Sequence, residues 1–169
     1  MVEQKSYFKD VKAVNGAYFA QGSENLEIEN LDLKGDYAFD HCANLKIRNS
    51  KLETKDAFWN CKNVILENCE VKGEYFGWNS SNVTLINCTV SSLQGFCYMD
   101  GITLKNCKLI DTDRAFEYCS NINAEIKSHV ISIKNPISGV ITVDSLGELI
   151  LDDDNVDHCK TTVRVLNEI

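Results

Sequence analysis

The chain has 169 residues, 25% of them charged, and a formal net charge of −8, which is typical of a folded globular protein. This acidic balance predicts that neither nucleic acid nor an anionic membrane surface is a partner, because both attract basic patches. No apolar run is long enough to cross a bilayer, and the first ten residues lack the apolar core of a secretory signal. We therefore expect a cytoplasmic protein without membrane contact.

From about residue 25 onward the sequence repeats every nineteen residues. The stretch NVILENC at 63–69 returns as NVTLINC at 82–88. Alignment at this step produces an unbroken asparagine column: Asn30, Asn49, Asn68, Asn87 and Asn106. A cysteine column stands beside it: Cys69, Cys88 and Cys107. A mostly aromatic column follows, interrupted by one glycine: Phe39, Phe58, Gly77, Phe96 and Phe116.

The alternation within each unit indicates short strands with one buried face, as in Leu26-Glu27-Ile28. A single unit cannot bury that face alone, whereas stacked units build a continuous core with strands about 4.8 Å apart. We therefore predict an all-β fold, a right-handed, single-stranded parallel β-helix with coils of about nineteen residues. Leucine-rich, pentapeptide and hexapeptide repeats fit the spacing less well.

The asparagine column and the cysteine column each have a physical cause in such a fold. Asparagine tolerates left-handed backbone angles at a corner, and its amide can bond the copies above and below it. Cysteine is small and polarizable and fills tight space beside the corner. We interpret both columns as structural ladders of reduced, mostly buried side chains.

We expect one domain over residues 1–169. Regular coils are predicted over about 18–119, and modified C-terminal coils with a cap over 120–153. The tail over 154–169 is predicted to form one more strand, which pairs either with a strand of the same chain or with a second chain. Open coil ends are unpaired edges, so we also expect homodimer contacts through the coil ends or this tail.

Several motifs within residues 18–153 resemble those of a known family. They include NLxIxNxxLxG, KDAFWNC, GEYFGW, LIDTDRAFEYC and IKNPxSG. They are similar to an uncharacterised bacterial family, a domain of unknown function with a right-handed β-helix fold. Its members carry further N-terminal coils, so the resemblance implies a short form. It implies no activity and no site residues.

Acidic residues recur before the aromatic corner and raise an enzymatic alternative. The candidates occupy nearly equivalent positions, with two more residues in the sequence DTDR: Asp36, Asp56, Glu74, Asp111, Asp113 and Arg114. A polysaccharide lyase or glycoside hydrolase needs carboxylates that converge within about 5–10 Å in a cleft. The sequence contains no long insertion to wall off such a cleft, which favours a non-catalytic role.

Two tryptophans one coil apart, Trp59 and Trp78, mark the second candidate surface. The adjacent column holds polar and aromatic residues: His41, Asn60, Asn79, Tyr98 and Tyr118. Asp40 and Trp59 occupy the same position of successive repeats, and because this position holds a charged residue in one coil we expect it to face solvent. Our first hypothesis is therefore a non-catalytic binding or scaffolding module whose aromatic face contacts a saccharide or a protein.

The triplet Asp-His-Cys occurs at 40–42 and again at 157–159, and it raises the question of thiol or zinc chemistry. Neighbouring residues of a strand point to opposite faces, so His41 and Cys42 are not expected to reach one atom. We predict no metal site and no cofactor.

Overall fold

The computed structural model describes residues 4–167, which form parallel strands wound into the successive coils of a solenoid. The predicted all-β, parallel solenoid fold is confirmed. Within residues 4–167 the structure contains no α-helix, and so no helix that could cross a membrane. The strands are β1 (Ser6–Val14), β2 (Glu24–Lys34), β3 (Ala43–Arg48), β4 (Lys51–Glu53), β5 (Asp56–Ala57), β6 (Lys62–Glu67), β7 (Glu70–Lys72), β8 (Tyr75–Phe76), β9 (Ser81–Ile86), β10 (Thr89–Ser91), β11 (Gln94–Gly95), β12 (Asp100–Ile110), β13 (Ser120–Lys134), β14 (Gly139–Ile150) and β15 (Thr161–Val165).

A central coil consists of one strand of six residues and two shorter ones. In one such coil these are β6, β7 and β8, and they pair in parallel with β9, β10 and β11 of the next coil. The register aligns Val64 with Val83 and Leu66 with Leu85. Each side chain therefore lies directly above its counterpart in the repeat.

Alternate side chains of these strands point inward and build a continuous apolar core. A column of five phenylalanines runs through it, with ring centroids 5.2–5.3 Å apart: Phe39, Phe58, Phe76, Phe96 and Phe116. The sequence columns placed Gly77 in this row. Gly77 has a positive φ, as Phe58 and Phe96 have. The ring of the preceding residue, Phe76, fills the place in the core that a side chain at position 77 would have taken.

Two corners of each central coil are built by asparagines with left-handed backbone angles. In the first row Asn106 donates to Asn87 at 2.8 Å, and Asn87 donates to Asn68 at 3.4 Å. The φ angles of these three residues lie between 50° and 53°. A second row, with side-chain bonds of 2.8–2.9 Å, consists of Asn25, Asn44, Asn63 and Asn82. Each amide thus satisfies its neighbour where the chain turns.

The two ends of the solenoid depart from the regular coil. Strand β1 pairs with β2, with Ser6 opposite Leu26, so a coil precedes the regular coils that were predicted over about 18–119. Toward the other end the coils shorten, and β14 pairs with β13 with Gly139 opposite Ile122. The tail contains a short 3₁₀ helix, His158–Lys160, and then β15, which pairs with β14 of its own chain.

Asn87→Ala should lower the free energy of unfolding by about 2–3 kcal/mol, because alanine loses the amide bonds and is strained at a left-handed φ. Asn87→Gly loses the same bonds without the strain and should cost only about 1 kcal/mol. Urea denaturation followed by circular dichroism measures both. Equal losses for the two variants would contradict a conformational role for this corner.

Candidate functional site

Five aromatic side chains form one row on the outside of the solenoid, here called the aromatic face: Trp59, Tyr75, Trp78, Tyr98 and Tyr118. Ring centroids of Trp59 and Trp78 are 5.6 Å apart. Those of Trp78 and Tyr98 are 5.5 Å apart, and those of Tyr98 and Tyr118 are 5.4 Å apart. Tyr75 packs edge-on against Trp78 at 6.3 Å. The row therefore spans successive coils without a gap.

The row changes column between Trp78 and Tyr98. Trp59 and Trp78 occupy one repeat position, whereas Tyr98 and Tyr118 occupy the next one along the chain. Buried Cys97 and half-buried Glu117 take the tryptophan positions on the later coils. The tryptophan column is therefore less exposed than the sequence suggested, and the exposed rings come from two columns.

The rings of the aromatic face cover one another's faces. Trp78 and Tyr98 stack with an interplanar angle of 30°, and Tyr98 and Tyr118 with an angle of 27°. Trp78 is 37% exposed and Tyr98 is 48% exposed. Because the faces are turned to neighbouring coils, the solvent meets mainly ring edges. This geometry is a rigid, pre-formed surface.

Polar groups border the aromatic face. Asn79 donates to Asn60 at 2.8 Å, which continues the corner stacking beside the tryptophans. On the coil before Trp59, the His41 ring lies 2.8 Å from the carboxylate of the adjacent Asp40. The Tyr118 hydroxyl donates to Asp153 at 2.8 Å, and this bond raises the pKa of Tyr118. The border supplies both donors and acceptors next to the rings.

The alignment placed the candidate carboxylates at nearly equivalent positions, with Gln94 interrupting the row, and in the structure other residues interrupt it as well. Backbone bonds run from Glu74 to Lys55, from Leu93 to Glu74 and from Asp113 to Leu93, so a lysine and a leucine interrupt the row. Asp56 lies one position later, opposite Tyr75. Adjacent residues of a strand point to opposite faces, which separates Asp56 from this row. The nearby open groove carries both signs of charge, from Lys34 and Lys72 as well as from the acids.

Asp56 is the buried carboxyl of this group, with 6% exposure. Its Oδ1 has no hydrogen-bond partner among the residues that the structure describes. Burial raises the pKa of Asp56, and the nearby charges of Glu74 and Asp36 raise it further. Asp36 itself is exposed and accepts a bond from the Lys55 backbone at 3.2 Å.

Two residues of the DTDR segment, Asp113 and Arg114, form hydrogen bonds with Ser132. Asp113 accepts a hydrogen bond from the Ser132 hydroxyl, and the Ser132 oxygen accepts one from the Arg114 backbone at 2.7 Å. The Arg114 side chain and Asp111 are exposed. Within residues 4–167 no group of three or more His, Cys, Asp or Glu side chains is arranged to hold a metal ion.

Seven of the eight cysteines are buried and free, and Cys159 is exposed. The Cys61 thiol lies 2.8 Å from the Phe39 carbonyl oxygen, and one coil later the Ser80 hydroxyl donates to the Phe58 carbonyl at 2.6 Å. Burial raises the pKa of Cys107 to about 11 and that of Cys97 to about 12. Cys97 and Cys107 therefore stay protonated at neutral pH.

The two Asp-His-Cys triplets do not form a shared site. At the first, the His41 ring is exposed and paired with Asp40, whereas the Cys42 thiol is buried and points to the Ala20 carbonyl at 3.0 Å. At the second, Asp157 accepts a bond from the Cys159 backbone at 3.2 Å and so caps the 3₁₀ helix. Each triplet is explained by local structure.

Fold and surface together define a β-solenoid protein with an aromatic face. Residues 3–164 match the family described as "Protein of unknown function (DUF3737)", and the chain belongs to this family. The resemblance to a family of unknown function is thereby confirmed, over a longer stretch than the motifs covered. Searches of the curated proteins and of the solved structures found no match. A bacterial origin and a short form remain predictions.

Asp56→Asn should stabilise the protein at neutral pH. The pKa of Asp56 is raised in the folded state, so its stabilising contribution is complete below the unfolded pKa and is lost as the pH rises through the folded pKa. A gain of about 1 kcal/mol would raise Tm by about 2–4 °C at pH 7. The gain should disappear in acid. Thermal scans against pH measure it, with exposed Asp111→Asn as the control, and a Tm that falls at pH 7 would contradict this assignment.

Thiol titration of the native protein with Ellman's reagent should show one fast-reacting thiol per chain, Cys159, and seven that react only on unfolding. The cause is burial, which blocks access of the reagent to the inner thiols. Cys159→Ser should remove the fast phase. Fast reaction of more than one thiol in the native wild type would show that the corner thiols are accessible.

Proposed function

We propose that this chain is a non-catalytic binding module that contacts a protein partner through its aromatic face. The observation that carries the proposal is the continuous row of rings with exposed edges at Trp78 and Tyr98. Tyrosine and tryptophan supply large contact area at low entropic cost and are enriched in the centres of protein interfaces.

A protein fits this surface better than a saccharide. A sugar ring binds best when it lies flat on an open aromatic face. Here the faces of Trp78, Tyr98 and Tyr118 are turned to one another at 5.4–5.5 Å. Ring edges carry partial positive charge and attract carbonyl oxygens and the faces of other aromatic rings, which a protein partner offers.

The border and the rigidity of the face agree with this function. Stacking orders the rings before any partner arrives, so little side-chain entropy remains to be lost on binding. Asn79 and His41 are exposed beside the rings and offer hydrogen bonds at the rim. An apolar centre with a polar rim is the usual anatomy of a protein interface.

The alternative function, a polysaccharide lyase or glycoside hydrolase, is not favoured. Such chemistry needs two converging carboxylates. Asp56 is buried behind the outer row, Asp113 is held by Ser132, and Asp36 and Glu74 border an open groove of mixed charge. Although Asp36 and Glu74 lie near enough to Asp56 to raise its pKa, they border an open groove of mixed charge, which is unlike the cleft such a reaction uses.

The test is site-specific photo-crosslinking in the cells from which the gene derives. A benzoyl-phenylalanine at position 98 should capture one defined protein, and the same probe at Leu93, which is 61% exposed, should not. Trp78→Ala should reduce the captured product at least about tenfold, because interface aromatics often contribute 2 kcal/mol or more.

A purified complex of the captured protein with the chain would establish the contact, and circular dichroism of Trp78→Ala would show that the variant folds. A glycan array run in parallel tests whether the aromatic face binds a saccharide instead of a protein. Saccharide binding that Trp78→Ala abolishes would replace the protein partner by a glycan. Absence of both signals would refute the aromatic face as a binding site.

A further inference from the structure

The connections between coils lie together on one side of the solenoid, here called the connecting side. They run from the last strand of the twelve-stranded sheet in one coil to its first strand in the next: 15–23, 35–42, 54–61, 73–80, 92–99, 111–119, 135–138 and 151–160. Hydrogen bonds join each segment to the next one, for example from the Phe58 backbone to Ala38 at 3.1 Å. All five rings of the aromatic face belong to this side.

The connecting side carries the whole net charge of the chain. Its segments contain eleven acidic and three basic residues, whereas the rest of the chain contains fourteen of each, with histidine counted as neutral. The formal net charge of −8 therefore belongs to the side that bears the aromatic face. The acidic residues are Asp36, Asp40, Asp56, Glu74, Asp111, Asp113, Glu117, Asp152, Asp153, Asp154 and Asp157, and the basic residues are Lys55, Arg114 and Lys160.

The two sides of the solenoid also differ in how their charges are paired. On the twelve-stranded sheet Arg48 lies 2.6 Å from Glu27, and Lys34 lies 3.6 Å from Glu53. Within residues 4–167 no salt bridge reaches four exposed acids of the connecting side: Asp36, Glu74, Asp111 and Asp154. These carboxylates keep their charge for an incoming molecule.

A buried carboxyl lies next to the rings on the same side. Asp56 stands opposite Tyr75 in the parallel register of β5 and β8, so both side chains lie on the same face of these strands. Asp56 is 6% exposed, and its Oδ1 has no hydrogen-bond partner among the described residues. A buried acceptor of this kind is costly unless a donor reaches it, and cationic donors form the strongest bonds with a carboxylate.

We propose that the aromatic face recognises a basic protein, whose lysine and arginine side chains surround the groups that contact the rings. Because this is the surface already proposed to bind a protein, the partner chemistry rests on that function. Opposite potentials draw the two proteins together and repel acidic competitors. The rings supply the centre of the contact, and the unpaired acids of the connecting side supply its rim.

The test removes charge from the connecting side without changing a ring. One variant combines three substitutions of exposed, unpaired acids: Asp36→Asn, Glu74→Gln and Asp154→Asn. Its matched control removes the same number of charges from exposed acids of the twelve-stranded sheet: Asp32→Asn, Glu70→Gln and Glu148→Gln. Both variants carry the same net charge, so a difference between them reports the position of the charge. Circular dichroism shows that both fold.

Each variant carries the benzoyl-phenylalanine at position 98, and the product captured in cells is quantified. Loss of the three acids on the connecting side should reduce the captured protein at least about fivefold, because attraction at the rim speeds association. The control should stay within about twofold of the chain with all acids in place, since its charges lie on the other side. The cross-linked site of the captured protein should lie in a surface with an excess of lysine and arginine.

The outcomes separate the partner's chemistry from the binding function. Capture with equal yield by the two variants and by the chain with all acids in place would overturn the basic partner and leave the aromatic face as a binding site. Equal loss in both variants would also overturn it, because only total charge would then matter. No captured protein from the chain with all acids in place would refute the proposed function, and the basic partner with it.

Discussion

The interaction on which the rest of this structure depends is the in-register pairing of each coil with the next. Because Val64 lies opposite Val83 and every neighbour follows the same register, each side chain meets its own repeat copy. Phenylalanines then stack on phenylalanines, and asparagine amides bond asparagine amides. The core and the corners are therefore consequences of one backbone arrangement, and a change in register would disrupt all of them together.

The same stacking decides which chemistry the surface retains. Thiols such as Cys61 point to carbonyl groups of the preceding coil and are buried there. The acids are divided between a buried position, Asp56, and outer positions that alternate with other residues. The aromatic rings use their faces for each other and leave their edges to solvent. The exposed ring edges are the feature on which the proposed protein contact rests.

The side and the ends of the solenoid meet solvent for different reasons. The side repeats with the coils, so its exposed groups are ordered by neighbours on both sides. The ends expose side chains such as Phe8 and Leu149, because no further coil of the described chain packs over them.

The nineteen-residue period was enough to predict the parallel solenoid and the asparagine and cysteine columns, because the period decides which residues share a column. It was not enough to decide where neighbouring residues point at a corner. Only the tertiary structure showed that Phe76 replaces Gly77 in the core, that Asp56 leaves the acidic row, and that Trp78 joins Tyr98 across two columns. These outcomes depend on local backbone angles and on packing between coils, and neither is encoded in a one-dimensional repeat.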